Sequence, residues 1–145
     1  MTPDILCIGA VLWDIIARSS APMAIGDDAP GRITRLPGGV ALNIAATLVR
    51  LGWHPGLLSA IGQDDEGAEL IARITAMGLD ASRVVRCTSP TDRYLAIEDS
   101  TGLVAAVADA HSLEQAGAAI LAPLSDGRLG RRTIPGPGRS RWTAT

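Results

Sequence analysis

Hydrophobic and polar positions along the chain alternate in a way that predicts short strands and helices in turn. Residues 4–9 form an apolar run that ends in glycine, which is typical of a strand buried on both faces. Residues 32–36 alternate polar and apolar side chains, as a half-exposed strand does. Residues 40–51 are rich in alanine, leucine, isoleucine and valine, and they predict a largely buried helix that Gly52 closes.

The alternation continues through the following residues. Residues 55–61 predict another buried strand, and the apolar stripe in residues 70–77 predicts an amphipathic helix. Residues 94–98 and 103–108 are two apolar segments around a turn, which predicts a β-hairpin. Residues 112–121 begin with a capping-box pattern and predict a third helix. This order of elements predicts an α/β fold with crossover helices.

Composition narrows the class of protein. The chain has 145 residues, 47% of them hydrophobic, and a mean hydropathy of +0.23, so one folded domain is expected. A net charge of −2 argues against a general nucleic-acid binder. Lysine does not occur, which excludes a catalytic, Schiff-base or P-loop lysine from the chain. The apolar runs are too short to span a membrane and the start lacks a basic signal segment, so a cytoplasmic protein is expected.

Residues 126–145 differ from the rest of the chain. They carry five arginines against one carboxylate, whereas residues 1–125 carry eight arginines against fourteen carboxylates. Glycine, proline and arginine dominate this tail, and the hydrophobic periodicity ends. The composition predicts a tail that is disordered or that results from a frameshift.

Candidate binding chemistry lies around the start of the first predicted helix. Gly38 and Gly39 precede that helix, and glycines there let a ligand approach free backbone amides. Asn43 follows one turn into the helix, where its side chain can both donate and accept hydrogen bonds. Asp14 follows the first strand, at the edge of the sheet where ligands of such folds bind, and its carboxylate can accept bonds from a vicinal diol. Tyr94 either stacks on a ligand or packs within its strand.

At these residues the sequence resembles the PfkB family of carbohydrate kinases over roughly residues 4–125. Gly9 with Asp14 resembles the opening strand and sugar-binding carboxylate of that family. The positions that match the spacing of its first signature are Gly38, Gly39, Ala41, Asn43, Ala45, Gly52 and Gly62. The resemblance implies a ribokinase-like three-layer α/β sheet, of which this chain is the amino-terminal half, with a small β-lid at about residues 15–37 and 92–109.

The resemblance also implies an activity. The family transfers the γ-phosphoryl group of Mg-ATP to a sugar or nucleoside hydroxyl, and residues 94–114 are most similar to pseudouridine kinases. Leu12 departs from the asparagine that many members have two residues before the sugar-binding aspartate, which leaves the acceptor open. Asp14, Gly38, Gly39, Asn43 and Tyr94 are the implied substrate-binding residues, and a homodimer through the lid is the implied assembly.

The implied catalytic residue is missing from this chain. In the family an aspartate in a Gly-Ala-Gly-Asp motif acts as the base, and neither this motif nor the ATP-binding half occurs here. The expectation is a truncated kinase that is inactive by itself, and the alternative is a non-catalytic module for sugar or nucleoside binding or for dimerisation. A dinucleotide-binding oxidoreductase ranks last, because its glycine fingerprint should directly follow the first strand, where Gly9 stands alone. Asp64 is expected to stabilise a turn.

Overall fold

The computed structural model describes residues 2–129 of the chain. Strands and helices alternate much as the hydrophobic pattern predicts. In chain order the elements are β1 Ile5–Ile8, β2 Leu12–Arg18, β3 Arg32–Gly38, α1 Val40–Arg50, β4 Pro55–Leu58, β5 Ala60–Gly62, α2 Asp65–Ala76, β6 Val85–Cys87, β7 Arg93–Asp99, β8 Gly102–Asp109, α3 Ser112–Ala116 and a 3-10 helix Gly117–Leu124.

Short parallel strand pairs form the base of the fold. β1 pairs with β4 and β5 pairs with β6, both in parallel, and only Ser59 separates β4 from β5. α1 packs against β1 and β4 through its buried face, which includes Leu42, Ala45 and Ala46. Full burial of a side chain such as Leu42 stabilises the fold by roughly 2 kcal/mol, so this face of α1 fixes the helix on the strands. Leu70 and Ile74 of α2 belong to the same core.

A four-stranded sheet extends from this base, and we call it the lid sheet. Its strand order is β3-β2-β7-β8, with β2 and β7 parallel in the middle and antiparallel partners outside them. The strands overlap the two segments expected to form a lid, residues 15–37 and 92–109, although β2 begins earlier, at Leu12, and β3 ends later, at Gly38. Because side chains alternate between the faces of a strand, residues that follow one another on β2 point to opposite faces of the lid sheet.

Two apolar surfaces stay exposed in the described part of the chain. One face of α1 presents Val40 and Ile44, which are 72% and 51% exposed. One face of the lid sheet presents Ile33, Leu95 and Val107, and we call this the far face because it lies opposite Asp14. Within residues 2–129 no helix is long and apolar enough to cross a bilayer.

The structure differs from the predicted elements at three places. The strand predicted for residues 55–61 is divided at Ser59, and β3 extends beyond the predicted residues 32–36 to Gly38. The single helix predicted for residues 112–121 is wrong, because α3 ends at Ala116 and a 3-10 helix follows. Gly117 adopts φ +50°, a left-handed conformation that interrupts an α-helix. Of the predicted disordered tail, residues 130–145 lie outside the described residues.

The capping box predicted at the start of α3 does not form either. Ser112 is fully buried, and its hydroxyl donates to Asp92 at 2.8 Å instead of capping the helix. The amide of Ser112 also donates to Asp92, at 3.1 Å. A long-range carboxylate has therefore replaced the local capping interaction that the sequence pattern suggests.

Candidate functional site

Asp14 and Tyr94 are register partners on the parallel strands β2 and β7. Register partners point to the same face of a sheet, so both side chains stand on one face of the lid sheet. They line a cavity of about 270 Å³, which we call the lid cavity. Its boundary consists of Ala10, Leu12, Asp14, Gly39, Val40, Asn43 and Tyr94. The fold therefore brings four of the five predicted binding residues around one cavity.

Gly38, the fifth predicted residue, is buried against Asp14. A Cβ atom at position 38 would lie 2.8 Å from Oδ1 of Asp14 and closer still to Oδ2. Gly39 has a different reason to be glycine, because its φ of +100° lies in the region that other residues avoid. A Cβ atom there would also lie 2.8 Å from the carbonyl carbon of Ala10, and closer still to its oxygen. Glycine at position 38 thus leaves room for the Asp14 carboxylate, and glycine at position 39 leaves room for the backbone carbonyl of Ala10.

The amino-terminal end of α1 opens on the lid cavity. Gly39 is its N-cap residue and offers no side-chain acceptor, and the first turn contains no acidic residue. The first amides of a helix have no partner within the helix, so they and the helix dipole favour an electron-rich ligand group. The amide of Asn43 donates to the carbonyl oxygen of Gly39 at 3.0 Å, while its side chain is exposed at the cavity.

The electrostatic setting of Asp14 suits a hydrogen-bond acceptor. Partial burial raises the pKa of the Asp14 carboxyl above its ordinary value. The carboxylate is therefore incompletely solvated, and donors from a bound ligand stabilise its charged form. Leu12, which is 7% exposed, and Val40 supply apolar surface beside the polar groups. A carboxylate, an amide side chain, a phenol and an apolar wall together suit a ligand with several hydroxyl groups and a hydrophobic face.

Asp64 supports the site from behind rather than lining it. Its carboxylate accepts bonds from the amide of Gly67 at 2.8 Å and from the amide and hydroxyl of Thr91 at 2.9 and 2.5 Å. Burial would raise the pKa of Asp64, but the bonds from Thr91 and Gly67 outweigh it and hold this pKa below its ordinary value. Asp64 thus caps α2 and ties it to the start of β7, in line with the predicted turn-stabilising role. Thr91 gave no signal in the sequence.

The histidines lie away from the lid cavity. His54 is exposed, with Nδ1 3.3 Å from the carboxylate of Asp4. His111 precedes α3, and its amide donates to Asp92 at 3.1 Å. Cys7 is buried, which raises the pKa of its thiol. None of these side chains borders the lid cavity.

The described residues offer no group of side chains that fits a metal ion. In residues 2–129, no three histidine, cysteine, aspartate or glutamate side chains are grouped so as to hold a metal. Mg²⁺ requires near-octahedral oxygen coordination, and among residues 2–129 Asp14 is the only carboxylate that borders the lid cavity. We therefore assign no Mg²⁺ contact to the described residues.

Comparison with known proteins gives consistent matches. A sequence model of the pfkB family of carbohydrate kinases matches residues 2–123. Pseudouridine kinase from Escherichia coli is 33% identical over 99 residues, which are 68% of this chain and 32% of that enzyme. The chain spans about a third of the length of the curated relatives it matches.

Solved structures show the same relationship. A protein from Clostridium perfringens that is assigned as a sugar kinase superposes with a TM-score of 0.70 at 27% identity, over 86% of this chain and 40% of that one. Ribokinase from Thermotoga maritima superposes with a TM-score of 0.58 at 24% identity, over 73% of this chain and 36% of that one, which shows a shared fold. The predicted ribokinase-like α/β fold is therefore confirmed for the part that this chain spans.

Proposed function

The chain belongs to the pfkB family of carbohydrate kinases, and we propose that it forms the acceptor-binding part of a kinase that phosphorylates a hydroxyl of a sugar or nucleoside with ATP. The observation that carries the proposal is the lid cavity, where Asp14, Asn43 and Tyr94 meet the uncapped start of α1. Asp14 would accept bonds from two neighbouring hydroxyls, and Asn43 would donate to and accept from the same ring. Gly38 and Gly39 keep the cavity open.

Among acceptors, we propose a nucleoside of the pseudouridine type. The match to pseudouridine kinase from E. coli supports this choice. The cavity supports it too, because the ring of Tyr94 and the side chain of Leu12 offer apolar surface on which the planar base of a nucleoside can pack. The lid sheet covers this side of the cavity, and closure over a bound nucleoside would exclude water.

We further propose that this chain binds the acceptor without transferring a phosphoryl group by itself. The Gly-Ala-Gly-Asp motif that supplies the base in the family does not occur among the 145 residues. Of the residues described, Asp14 is the one carboxylate at the lid cavity, and it would be engaged with ligand hydroxyls. ATP and Mg²⁺ would be held by parts of the kinase fold that this chain does not span.

A second copy of the chain is the proposed partner of the far face. Ile33 is 73% exposed, Leu95 39% and Val107 63%, and all three project from the same side of the lid sheet. A contiguous apolar sheet face of this kind favours protein–protein contact. Because the face is opposite Asp14, its burial in a homodimer would leave the lid cavity accessible.

The test is calorimetric titration of the purified chain with pseudouridine, with ribose as the comparison ligand. We expect saturable binding of pseudouridine, weaker binding of ribose, and weaker binding of pseudouridine by Asp14→Asn than by wild type. Asp28→Asn is the matched control, because Asp28 is exposed in the loop after β2 and does not border the lid cavity.

Incubation of the same chain with pseudouridine and Mg-ATP tests the second part of the proposal. We expect no phosphorylated nucleoside. Absence of pseudouridine binding by the folded chain would contradict the acceptor-site proposal, and measurable phosphoryl transfer would contradict the proposal that the chain lacks its base.

A further inference from the structure

The lid sheet carries a second set of contacts directly behind the lid cavity. Trp13 and Arg93 are register partners on β2 and β7, one step before Asp14 and Tyr94. Because successive side chains point to opposite faces, Trp13 and Arg93 stand on the far face while Asp14 and Tyr94 line the cavity. Any element that holds the first pair also sets the orientation of the second.

The element that holds Trp13 and Arg93 is α2, and it contacts them through Glu66 in its first turn. Its carbonyl oxygen accepts a bond from the indole N–H of Trp13 at 3.1 Å. Its carboxylate accepts a bond from Nε of Arg93 at 2.9 Å and lies 3.7 Å from the guanidinium of Arg35. One residue of α2 thus contacts β2, β7 and β3.

Arg35 closes this network from the edge strand β3. Its guanidinium lies 4.2 Å from the centre of the Trp13 ring, a cation–π contact, and it also pairs with the carboxylate of Glu69 on α2. Trp13 is only 2% exposed, so its ring is fixed between the core and this arginine. We call Trp13, Arg35, Glu66, Glu69 and Arg93 the α2 latch.

The charges of the α2 latch are poorly suited to a purely stabilising role. Side-chain exposures are 35% for Glu66, 36% for Arg35 and 45% for Arg93, and ion pairs this exposed contribute little to the free energy of unfolding. They are directional, however, and they join β3 and β7 to the first turn of α2, while the indole bond of Trp13 joins β2 to the same turn. Such a network restrains orientation more than it stabilises the fold.

We propose that Glu66 is a positioning residue for the acceptor site. Through Arg93 and Arg35 it fixes the base of the lid sheet on α2, and thereby fixes where Asp14 and Tyr94 stand relative to Asn43 on α1. Glu66 borders no part of the lid cavity itself, so its effect on a ligand would be transmitted entirely through the lid sheet. This inference rests on the proposed function, because it assumes that the lid cavity is the acceptor site.

The test compares Glu66→Gln with Asp65→Asn in the full chain. Glutamine keeps the size of the side chain and the backbone bond to Trp13, so only the negative charge is lost. Asp65→Asn removes one charge from the same turn of α2, and Asp65 takes no part in the α2 latch. We expect Glu66→Gln to weaken pseudouridine binding by about threefold to tenfold at low salt, the range that weak ion pairs allow. Asp65→Asn should leave the dissociation constant unchanged.

Two further readouts separate positioning from simple stabilisation. The wild-type dissociation constant should rise with added NaCl, and that of Glu66→Gln should rise less, because salt screens the Arg35 and Arg93 ion pairs to Glu66 that the variant lacks. The double variant Glu66→Arg with Arg93→Glu should recover part of the lost affinity. Equal pseudouridine binding by wild type and Glu66→Gln, or equal weakening by Asp65→Asn, would overturn the inference.

Hydrogen exchange tests the α2 latch without any ligand. We expect faster exchange of the β2 and β7 amides in Glu66→Gln than in wild type or Asp65→Asn. Unchanged exchange would overturn the inference. If wild type binds no pseudouridine while exchange responds as expected, the acceptor assignment fails and the link between Glu66 and the lid sheet stands.

Discussion

Gly38 is packed against Asp14 so closely that a Cβ atom at position 38 would lie 2.8 Å from Oδ1 of the carboxylate and closer still to Oδ2. The φ of Gly38 does not lie in the left-handed region, so alanine is compatible with the backbone there. The carboxylate of Asp14 is the end of a flexible side chain and can move away from a Cβ atom at position 38. Gly38→Ala should therefore displace the carboxylate more than it disturbs the fold. We expect pseudouridine affinity to fall at least about tenfold, as loss of a charged hydrogen bond would cause, with the chain still folded.

Gly39→Ala provides the contrast to that variant. Its φ of +100° strains any other residue, and the obstructing group is the backbone of Ala10, which cannot rotate away. We expect its free energy of unfolding to fall by about 1–3 kcal/mol, more than in Gly38→Ala. Urea unfolding and calorimetric titration of both variants measure the two effects. Equal loss of stability in the two variants would contradict this separation.

Asp14 predicts a pH dependence of binding with a definite sign. A ligand hydroxyl donates to the ionised carboxylate, so affinity should be full above the pKa of Asp14 and should fall as the pH drops through it. Burial raises that pKa, so the fall should begin at a higher pH than for an exposed aspartate, whose ordinary value is 3.8. Titrations with pseudouridine at a series of pH values measure it. Asp14→Asn should abolish this dependence.

Asp14 also predicts an unusual effect on stability. A carboxyl whose pKa is raised by folding disfavours the folded state once it ionises, and this cost is complete at pH values above the raised pKa. Asp14→Asn should therefore melt at neutral pH no lower than wild type, while it binds pseudouridine more weakly. A clear fall in its melting temperature would indicate that Asp14 stabilises the fold and would argue against a binding role.

The sequence allowed the fold class and most elements to be predicted, because these depend on local patterns. The helix at residues 40–50 is an example, since its apolar composition and the closing Gly52 are local signals that the structure reproduces. Asp14 and Asn43 were predicted to meet at the edge of an α/β sheet, and both border the lid cavity, but Asp14 lies within β2 of the lid sheet and not at the end of β1. The division at Ser59 and the short α3 depend on contacts with distant residues, and no pattern of neighbours records them.

The α2 latch shows why supporting residues escape sequence reasoning. Trp13 and Glu66 are 53 positions apart, and their bond uses the backbone carbonyl of Glu66, which any residue possesses. Arg35 and Arg93 look like ordinary surface charges in the sequence. Likewise, Ser112 has the signature of a helix cap, but its hydroxyl donates a hydrogen bond to Asp92, which lies 20 positions away in the sequence. These hydrogen-bond and ion-pair partners are determined when complete helices and strands pack together, so the local sequence pattern does not indicate them.

Asp64 predicts a stability effect at the junction of α2 and β7. Asp64→Ala removes an N-cap acceptor and leaves the amides of Gly67 and Thr91 without it. We expect a loss of about 2 kcal/mol in the free energy of unfolding, at the upper end for helix caps. Asp65→Ala in the same turn should cost less than about 1 kcal/mol. Equal losses in the two variants would contradict the assignment of Asp64 as the cap.

The lowered pKa of Asp64 makes its contribution to the free energy of unfolding depend on pH. Because folding lowers this pKa, the stability that Asp64 contributes is complete above its ordinary value of 3.8 and is lost as the pH falls through the lower, folded value. Wild type and Asp64→Ala should therefore differ most in stability near neutral pH and converge in strong acid. Urea unfolding across that range measures the convergence.

The far face predicts a concentration-dependent homodimer. Leu95→Glu places a charge in the centre of the exposed apolar face and should convert dimers to monomers in sedimentation velocity runs. Leu103→Glu is the control. Leu103 is 61% exposed, but it pairs with Glu98 and lies on the face of the lid sheet that carries Asp14, not on the far face. A wild-type chain that stays monomeric at all concentrations, or equal disruption by both variants, would contradict the proposed partner.

Asp92 and Ser112 form one buried interaction, and we expect their alanine variants to lose unequal amounts of the free energy of unfolding. Asp92 is 6% exposed and accepts bonds from the amides of His111 and Ser112 and from the hydroxyl of Ser112, at 2.8 to 3.1 Å. Asp92→Ala would leave three donors without their acceptor, and because each unsatisfied buried group costs about 1–3 kcal/mol, we expect a loss of about 3 kcal/mol or more in the free energy of unfolding. Ser112→Ala removes one donor and leaves the carboxylate two amide partners, so about 1 kcal/mol is expected. Urea unfolding measures both, and similar losses would contradict the expectation, because they would mean that the two amide bonds to Asp92 contribute little beyond the bond from the Ser112 hydroxyl.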